Sequence, residues 1–439
     1  MGRENFTRII EENKIMTIDE FKQKAIELDK NDKLAHFRNQ FEIGEEIYLD
    51  GNSLGRLPKK TIEISTNLIK NQWGKRLIRS WNENWIELPN IVAAKIAQIV
   101  GARPDEIFVG DSTSINFYKL AFAALSFQNN RSKIITDSLN FPTDIYVLQG
   151  LIEQHFKNHS LSIIKSNDEI SISDEAIEQA LDENTSLLTL SHVVFKSAYQ
   201  YNMQKINDLA HKKGALVIWD LSHAAGAVPL NLNESDADMA VGCTYKYLNG
   251  GPGAPAFLYV RHDLQKKLFN PIWTWFSHEK PFDFTLDYTA KNDIQRFASG
   301  TPSVLSLAAI EAGLDIILEA GMESLREKSM VQSSFLIEMI LNLLKQLGFT
   351  IASPLNVNQR GSHISIQHQD GYKINRAMIE PIDGSPSIIP DFRPPNNIRL
   401  GIAPLYNTFE EIFQTIVRIK KIVETKEFER FSDEKLTVV

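Results

Sequence analysis

Lys246 stands just past an apolar run at 237–243 and is followed by the glycine-rich Asn249-Gly250-Gly251-Pro252-Gly253. Upstream, Ala215-Leu216-Val217-Ile218-Trp219-Asp220 is an apolar strand pattern ending on a carboxylate, with His223 close behind. A lysine amine can form a Schiff base with an aldehyde cofactor. A carboxylate can hold a pyridine nitrogen protonated, so that the ring draws electrons from a carbanion. Amide and hydroxyl donors at a helix amino terminus bind phosphate. Asp111-Ser112-Thr113-Ser114, between a strand pattern and a helix pattern, offers hydroxyls of that kind. Singly these residues are ordinary: lysines are mostly solvated, strand-end aspartates form turns, and hydroxyls open helices as caps. As a set they suit pyridoxal phosphate.

Such chemistry needs a sheet whose strand ends gather the side chains. Short apolar runs at 107–110, 133–136, 161–165, 186–194, 215–220 and 239–243 predict strands. Helical spacing at 116–127, 174–181 and 204–213 falls between them. Continuous apolar strands separated by helices predict a mostly parallel sheet covered on both faces, with ligands beyond its carboxyl ends. After Pro302 the pattern changes to long helices at 305–320 and 324–347, strands at 362–367 and 398–402, and a helix at 409–424. The fold class is therefore α/β, with a large domain holding the parallel sheet and a smaller α+β carboxyl-terminal domain. The boundaries read as a 1–45 arm whose helix packs on the small domain, a 46–302 large domain and a 303–439 small domain. The polar tail after Phe428 is expected to fray.

Composition narrows the function. The chain has 439 residues, 43% of them hydrophobic, and a net charge of −8, which gives no support to a general nucleic-acid role. No apolar stretch is long enough to span a bilayer, and the start Met1-Gly2-Arg3-Glu4-Asn5 leads into polar sequence. A single cysteine, Cys243, excludes an internal disulfide and any multi-cysteine metal site. A cytoplasmic protein without metal or membrane partner is expected.

Four longer stretches go further: Tyr48-Leu49-Asp50-Gly51-Asn52-Ser53-Leu54-Gly55, and residues 219–229, 242–253 and 399–406. They closely resemble kynureninase, a family in the class V aminotransferase-like branch of fold type I pyridoxal phosphate enzymes. Leu77-Ile78-Arg79-Ser80-Trp81-Asn82 matches the bacterial spelling, and the likeness runs from about Phe41 to Val423. Kynureninases hydrolyse the Cβ–Cγ bond of kynurenine to anthranilate and alanine. The resemblance implies that Lys246 bonds the cofactor and moves the substrate Cα proton. Asp220 would pair with the pyridine nitrogen, His223 would lie beside it, and Phe141 would stack on the ring with Asp144 close by. Thr113, Ser114, Tyr245 and Trp275 would serve the phosphate side, Ser191 would contact the cofactor, and Thr301 would stand between cofactor and substrate. Arg399 would grip the substrate carboxylate, with Ser53 also on the substrate side. Tyr245 is the candidate acid/base, its phenol open to a shift by a nearby lysine or phosphate network. Trp81, Gly300 and Thr301 stand where family members that favour unhydroxylated kynurenine carry the same residues, so 3-hydroxykynurenine should be the weaker substrate. A homodimer with sites at its interface is implied too.

Two places depart from the family pattern. Thr274-Trp275-Phe276-Ser277-His278 stands where the family usually has Gly-Trp-Phe/Met-Gly-His, with glycines at the first and fourth positions, and Ser197-Ala198 stands where Thr-Gly or Ser-Gly is commoner. Side chains there could crowd a close backbone approach. The alternatives are a relative acting on a substituted kynurenine, or a catalytically silent cofactor-binding regulator. A cysteine desulfurase is disfavoured because Cys243 falls at a strand end and not on a mobile loop. The product could feed NAD biosynthesis, tryptophan catabolism or specialised anthranilate metabolism.

Overall fold

The computed structural model describes residues 16–432 and 434. The first fifteen residues of the predicted arm and most of the tail beyond Ser432 lie outside the described residues. The main sheet has seven strands: β1 (Ile107–Val109), β2 (Lys133–Asp137), β3 (Ser160–Ile164), β4 (Thr185–Ser191), β5 (Leu216–Asp220), β6 (Met239–Gly242) and β7 (Phe257–Val260). Their order is β1-β7-β6-β5-β4-β2-β3. Neighbours are parallel except at β7, which runs antiparallel to β1 and β6. The fold is thus α/β with a mostly parallel sheet, as expected. All of β5 and β6 is buried, which is why both read as unbroken apolar runs and not as alternation. The expectation lacked β7, because four residues leaving a Gly-Pro loop show no periodicity that reveals a reversal of direction.

Apolar side chains fill both faces of the sheet. One face packs Trp219 and Phe257 against Val92, Leu307 and Leu314; the other packs Ile218 and Leu258 against Phe117 and Leu125. Helices Leu88–Val100 and Pro142–Gln154, which the spacing did not predict, each carry proline in the first turn. That position has no N–H partner to lose, so a residue that reads as a break is in fact a start. The long pattern over 324–347 is one α-helix only as far as Met339. Its turns then widen over Ile340–Leu344 and tighten over Lys345–Leu347 before Gly348, at φ +91°, ends it.

A third core gathers Phe21 and Ala25 with Leu336, Ile398 and Ile416. It lies against a four-stranded antiparallel sheet ordered Asp391–Arg393, Asn397–Gly401, His363–Gln367, Thr350–Ile351. Helix Ile18–Lys30 opens on a Thr17/Glu20 capping box. Near its other end, the Asp29 carboxylate accepts the Phe409 and Glu410 amides at 2.8 Å each, capping helix Phe409–Glu424. Residues 48–55 strap the two sheets together. Tyr48 belongs to a two-residue parallel pairing with Ile388–Ile389, and the Gly55 amide donates to the Tyr245 carbonyl at 2.8 Å. A Cβ on Gly55 would meet the Lys246 carbonyl at 2.3 Å, so this close approach requires glycine. Among the described residues no helix is long and apolar enough to cross a membrane.

Candidate active site

Strand register builds the site at the carboxyl edge of the main sheet. Ser191 ends β4 directly beside Asp220 at the end of β5, and β6 ends at Gly242, just before the turn that carries Tyr245 and Lys246. Lys246 Nζ lies 2.9 Å from His223 Nε2. Burial first, then the Lys246 and Arg399 cations, hold the His223 imidazole well below its ordinary range. The ring is therefore neutral, and Nε2 accepts from Lys246 Nζ while Nδ1 is buried without a partner among the described residues. Burial raises the Asp220 carboxyl, against the pull of the Ser222 amide at 2.8 Å and of Lys246.

Asp144, in the first turn of helix Pro142–Gln154, is pushed well above the usual carboxylate range by burial and then by Asp220, and its Oδ2 has no partner. Ser191 Oγ donates to Asn140 Oδ1 at 2.7 Å, and Asn140 in turn donates to Thr136 at 3.1 Å. Next to Asn140, Phe141 presents an exposed ring edge-on to Phe195, centroids 5.2 Å apart.

These residues fit pyridoxal phosphate. Two buried carboxyls share one lysine, and Asp144 Oδ2 has no hydrogen-bond donor among the described residues; a protonated pyridine nitrogen would supply the missing positive charge. At the other end, Ser112 is the cap of helix Thr113–Phe127, accepting from the Ile115 amide at 3.3 Å. That leaves the Thr113 and Ser114 hydroxyls uncommitted among the described residues, on a first turn whose amides and dipole favour a phosphate. Tyr245 differs from expectation in one respect. The neighbouring Cys243 sulfur and burial raise its phenol, where a lysine or phosphate network was expected to shift it. Tyr245 therefore holds its proton and can offer it as a hydrogen bond.

Arg399 forms a second cluster, on the small sheet. It is buried, donates through Nε to Asp391 Oδ2 at 2.5 Å and pairs with the same carboxylate through Nη2. Nη1 donates to the Phe195 carbonyl at 2.6 Å, and Nη2 to Ser53 Oγ at 3.2 Å. Asp391 sits opposite Arg399 in the strand register. Asp50 lies in the same cluster. Burial and the Asp391 charge raise its carboxyl to about 6, against the pull of Ser53 and Arg399.

Trp81 and Trp275 are not joined directly to either cluster. No hydrogen bond, ion pair or ring contact joins Trp81 or Trp275 to Lys246, Asp220 or Arg399 among the described residues. Instead Trp81 and Trp275 both pack on Phe276, at 6.4 and 4.4 Å between centroids. Around them Trp273, Phe282, Phe284 and Leu286 are more than half exposed. Gly300 has φ +131°, where a side chain is strained.

The departures from glycine near Trp275 do not crowd the backbone. Thr274 (φ −141°) donates to the Ala298 carbonyl at 2.8 Å, and Ser277 Oγ returns to the Thr274 carbonyl at 2.8 Å. Ala198 does carry strain: it is buried at φ +65°, held by its amide to the Val194 carbonyl and its carbonyl to the Gly361 amide.

The spacing did not single out Asp391, Asp50, Asn140, Lys119 or Phe195. Of these, Lys119 carried a partial signal: a charge inside an apolar helix demands a partner. Among the described residues no group of three or more His, Cys, Asp or Glu could hold a metal ion.

The sequence model of the aminotransferase class-V family matches residues 47–379. A kynureninase from Pseudomonas fluorescens is 39% identical over 408 residues, covering 92% of this chain and 95% of the relative. Among solved structures, an apo cysteine desulfurase from Thermococcus onnurineus NA1 superposes with TM-score 0.75 at 18% identity, covering 91% of this chain and 98% of its own. A variant of C-DES with glycine covalently linked to its PLP cofactor does so with TM-score 0.75 at 17% identity, covering 87% and 98%. At such identities the two structures speak for the fold alone.

Proposed function

The chain belongs to the kynureninases of the aminotransferase class-V family, and from that premise we propose that it hydrolyses the Cβ–Cγ bond of L-kynurenine to anthranilate and L-alanine, with 3-hydroxykynurenine the weaker substrate. The observation that carries the reading is the Lys246–His223 contact beside two buried carboxyls, one lacking a donor. The cofactor is pyridoxal 5′-phosphate, which when bound supplies an electron-withdrawing ring that takes up electrons released at the substrate carbon.

The residues do the rest. Asp220 and Asp144 hold a ring nitrogen protonated, while Thr113, Ser114 and Tyr245 face the phosphate side. Neutral His223 accepts a hydrogen bond from Lys246 and so orients Nζ, the group that takes and returns the substrate Cα proton. Arg399 binds the substrate carboxylate through its outer fork, exchanging the Phe195 carbonyl and Ser53 hydroxyl for it. Tyr245, kept protonated, donates toward the aryl ketone oxygen as water adds there, and one water is consumed in giving the two products.

The reading extends to a homodimer. Trp273, Trp275, Phe282 and Phe284 form an exposed aromatic surface, a feature that marks contact sites. A second copy is also the route by which Trp275, joined to neither Lys246 nor Asp220 among the described residues of its own chain, would meet a cofactor together with Thr301. The domain division at 45 and 302 stands as part of the reading, with helix Val304–Ala320 a connector lying on the large-domain core. A buried, lone Cys243 suits a reducing cytoplasm.

Purified protein saturated with pyridoxal phosphate should convert kynurenine to anthranilate and alanine, and convert 3-hydroxykynurenine less efficiently. A higher efficiency on the hydroxylated form would overturn the selectivity. Cofactor retention with no turnover of either substrate would overturn the activity in favour of a substituted substrate or a silent binder.

A further inference from the structure

We propose that Lys119 is a positioning residue that locks the phosphate-side helix to the Ser299-Gly300-Thr301 segment, and so sets both cofactor retention and selectivity between ring-substituted substrates. The selectivity half rests on the kynureninase reading; the cofactor half needs only the pyridoxal phosphate site.

Lys119 lies within helix Thr113–Phe127, whose first turn carries Thr113 and Ser114. Its side chain is fully buried, 0% exposed. Nζ donates to Asp111 Oδ2 at 2.7 Å, to the Phe297 carbonyl at 2.7 Å and to Ser299 Oγ at 3.0 Å, so every ammonium proton has an acceptor. It also sits 5.0 Å from the Phe108 ring centroid. A buried ammonium is tolerated only with such full pairing, and the partners are not scattered. Asp111 is the left-handed residue (φ +55°) that turns the chain into Ser112-Thr113-Ser114. Phe297 and Ser299 flank Ala298, whose carbonyl holds Thr274 beside Trp275. Ser299 itself runs directly into Gly300 and Thr301. One ammonium thus fixes the distance between the phosphate-side hydroxyls and a segment assigned to substrate selection.

A buried ion pair that merely holds the fold would make the same contacts, so the test must read something else. Holoenzymes of the parent, Lys119→Met and Ser299→Ala would be dialysed against stepped pyridoxal phosphate concentrations, and bound cofactor read by its absorbance. The ratio of kcat/KM for kynurenine over 3-hydroxykynurenine would be measured on reloaded protein. Lys119→Met should weaken cofactor retention roughly tenfold or more and move the ratio by several-fold, the scale on which small misplacements act. Ser299→Ala, which keeps the Asp111 and Phe297 contacts, should move the ratio by about threefold with retention nearly unchanged. A folded Lys119→Met that melts earlier but keeps retention and ratio within about twofold would overturn the proposal. If Lys119→Met does not fold, an unmoved ratio in Ser299→Ala overturns it instead. Parent protein that binds cofactor but turns over neither substrate would defeat the kynureninase reading, while the retention comparison would still decide the role of Lys119.

Discussion

The two cations of the site are held on opposite terms. At the carboxyl edge of the main sheet Lys246 has one close partner, His223, and nearby Asp144 Oδ2 and His223 Nδ1 have none among the described residues. On the small sheet, the Arg399 guanidinium is held on several sides by Asp391, the Phe195 carbonyl and Ser53, although Asp50 Oδ1 beside it has no partner among the described residues. An unmet buried group costs about 1–3 kcal/mol, and a protein can bear that where a resident group fills the gap whenever it works. A ligand that leaves every cycle is different. Its binding cation must stay satisfied between turnovers, so the chain supplies stand-in acceptors that a substrate carboxylate can replace. The contrast separates a permanent occupant from a transient one.

The largest expected effect lies on the saturated side. Arg399→Met should lower kcat/KM for kynurenine by about 10³, and leave buried Asp391 with Arg393 as its one remaining cation among the described residues, at a stability cost of about 1–3 kcal/mol. Steady-state kinetics and chemical denaturation check both. Cofactor content should be unchanged, and loss of cofactor would show that the two clusters are not separable.

Tyr245→Phe comes next, on the unsaturated side. Removing its donor should cut kcat by about 10² while cofactor absorbance persists; an unaltered rate would remove Tyr245 from the mechanism.

Asp50 gives a pH-dependent test. Its carboxyl is raised from 3.8 to about 6, so on acidification the folded protein takes up this proton before the unfolded chain does. That contribution favours folding below the ordinary carboxylate value and is lost as pH climbs through about 6. Asp50→Asn, uncharged throughout, should be more stable than the parent by about 1–2 kcal/mol at pH 8, with the gap closing near pH 4. A gap that widens on acidification would reverse the assignment.

The smallest effect concerns Ala198. Glycine there relieves about 1–2 kcal/mol of left-handed strain but gives up roughly 0.8 kcal/mol of buried methyl. Ala198→Gly should therefore gain less than about 1 kcal/mol in melting experiments, and a clear loss would show the turn unstrained.

Much of the cofactor side was legible because its parts are contiguous with strand ends: Asp220 closes an apolar run, and Lys246 follows another. The Arg399 cluster was legible only in part. Its partner Asp391 lies across a strand pair whose first member spans just Asp391–Arg393, too short to show alternation. Lys119 was legible only by half: its apolar helix calls for a partner, but the acceptors at Phe297 and Ser299 lie far along the chain and no helix pattern names them. The direction of the Tyr245 shift depended on Cys243, a residue weighed for its own chemistry and not for its effect on a neighbour.

The strap at residues 48–55 has a consequence for solvent exchange. The Gly401 amide donates to the Leu49 carbonyl and Asn407 to the Tyr48 carbonyl on one side, while the Gly55 amide holds the Tyr245 carbonyl on the other. The segment cannot let go of one sheet without pulling on its neighbour. Deuterium should then reach the Gly55 and Gly401 amides together, at a single opening rate, although more than three hundred residues of chain lie between them.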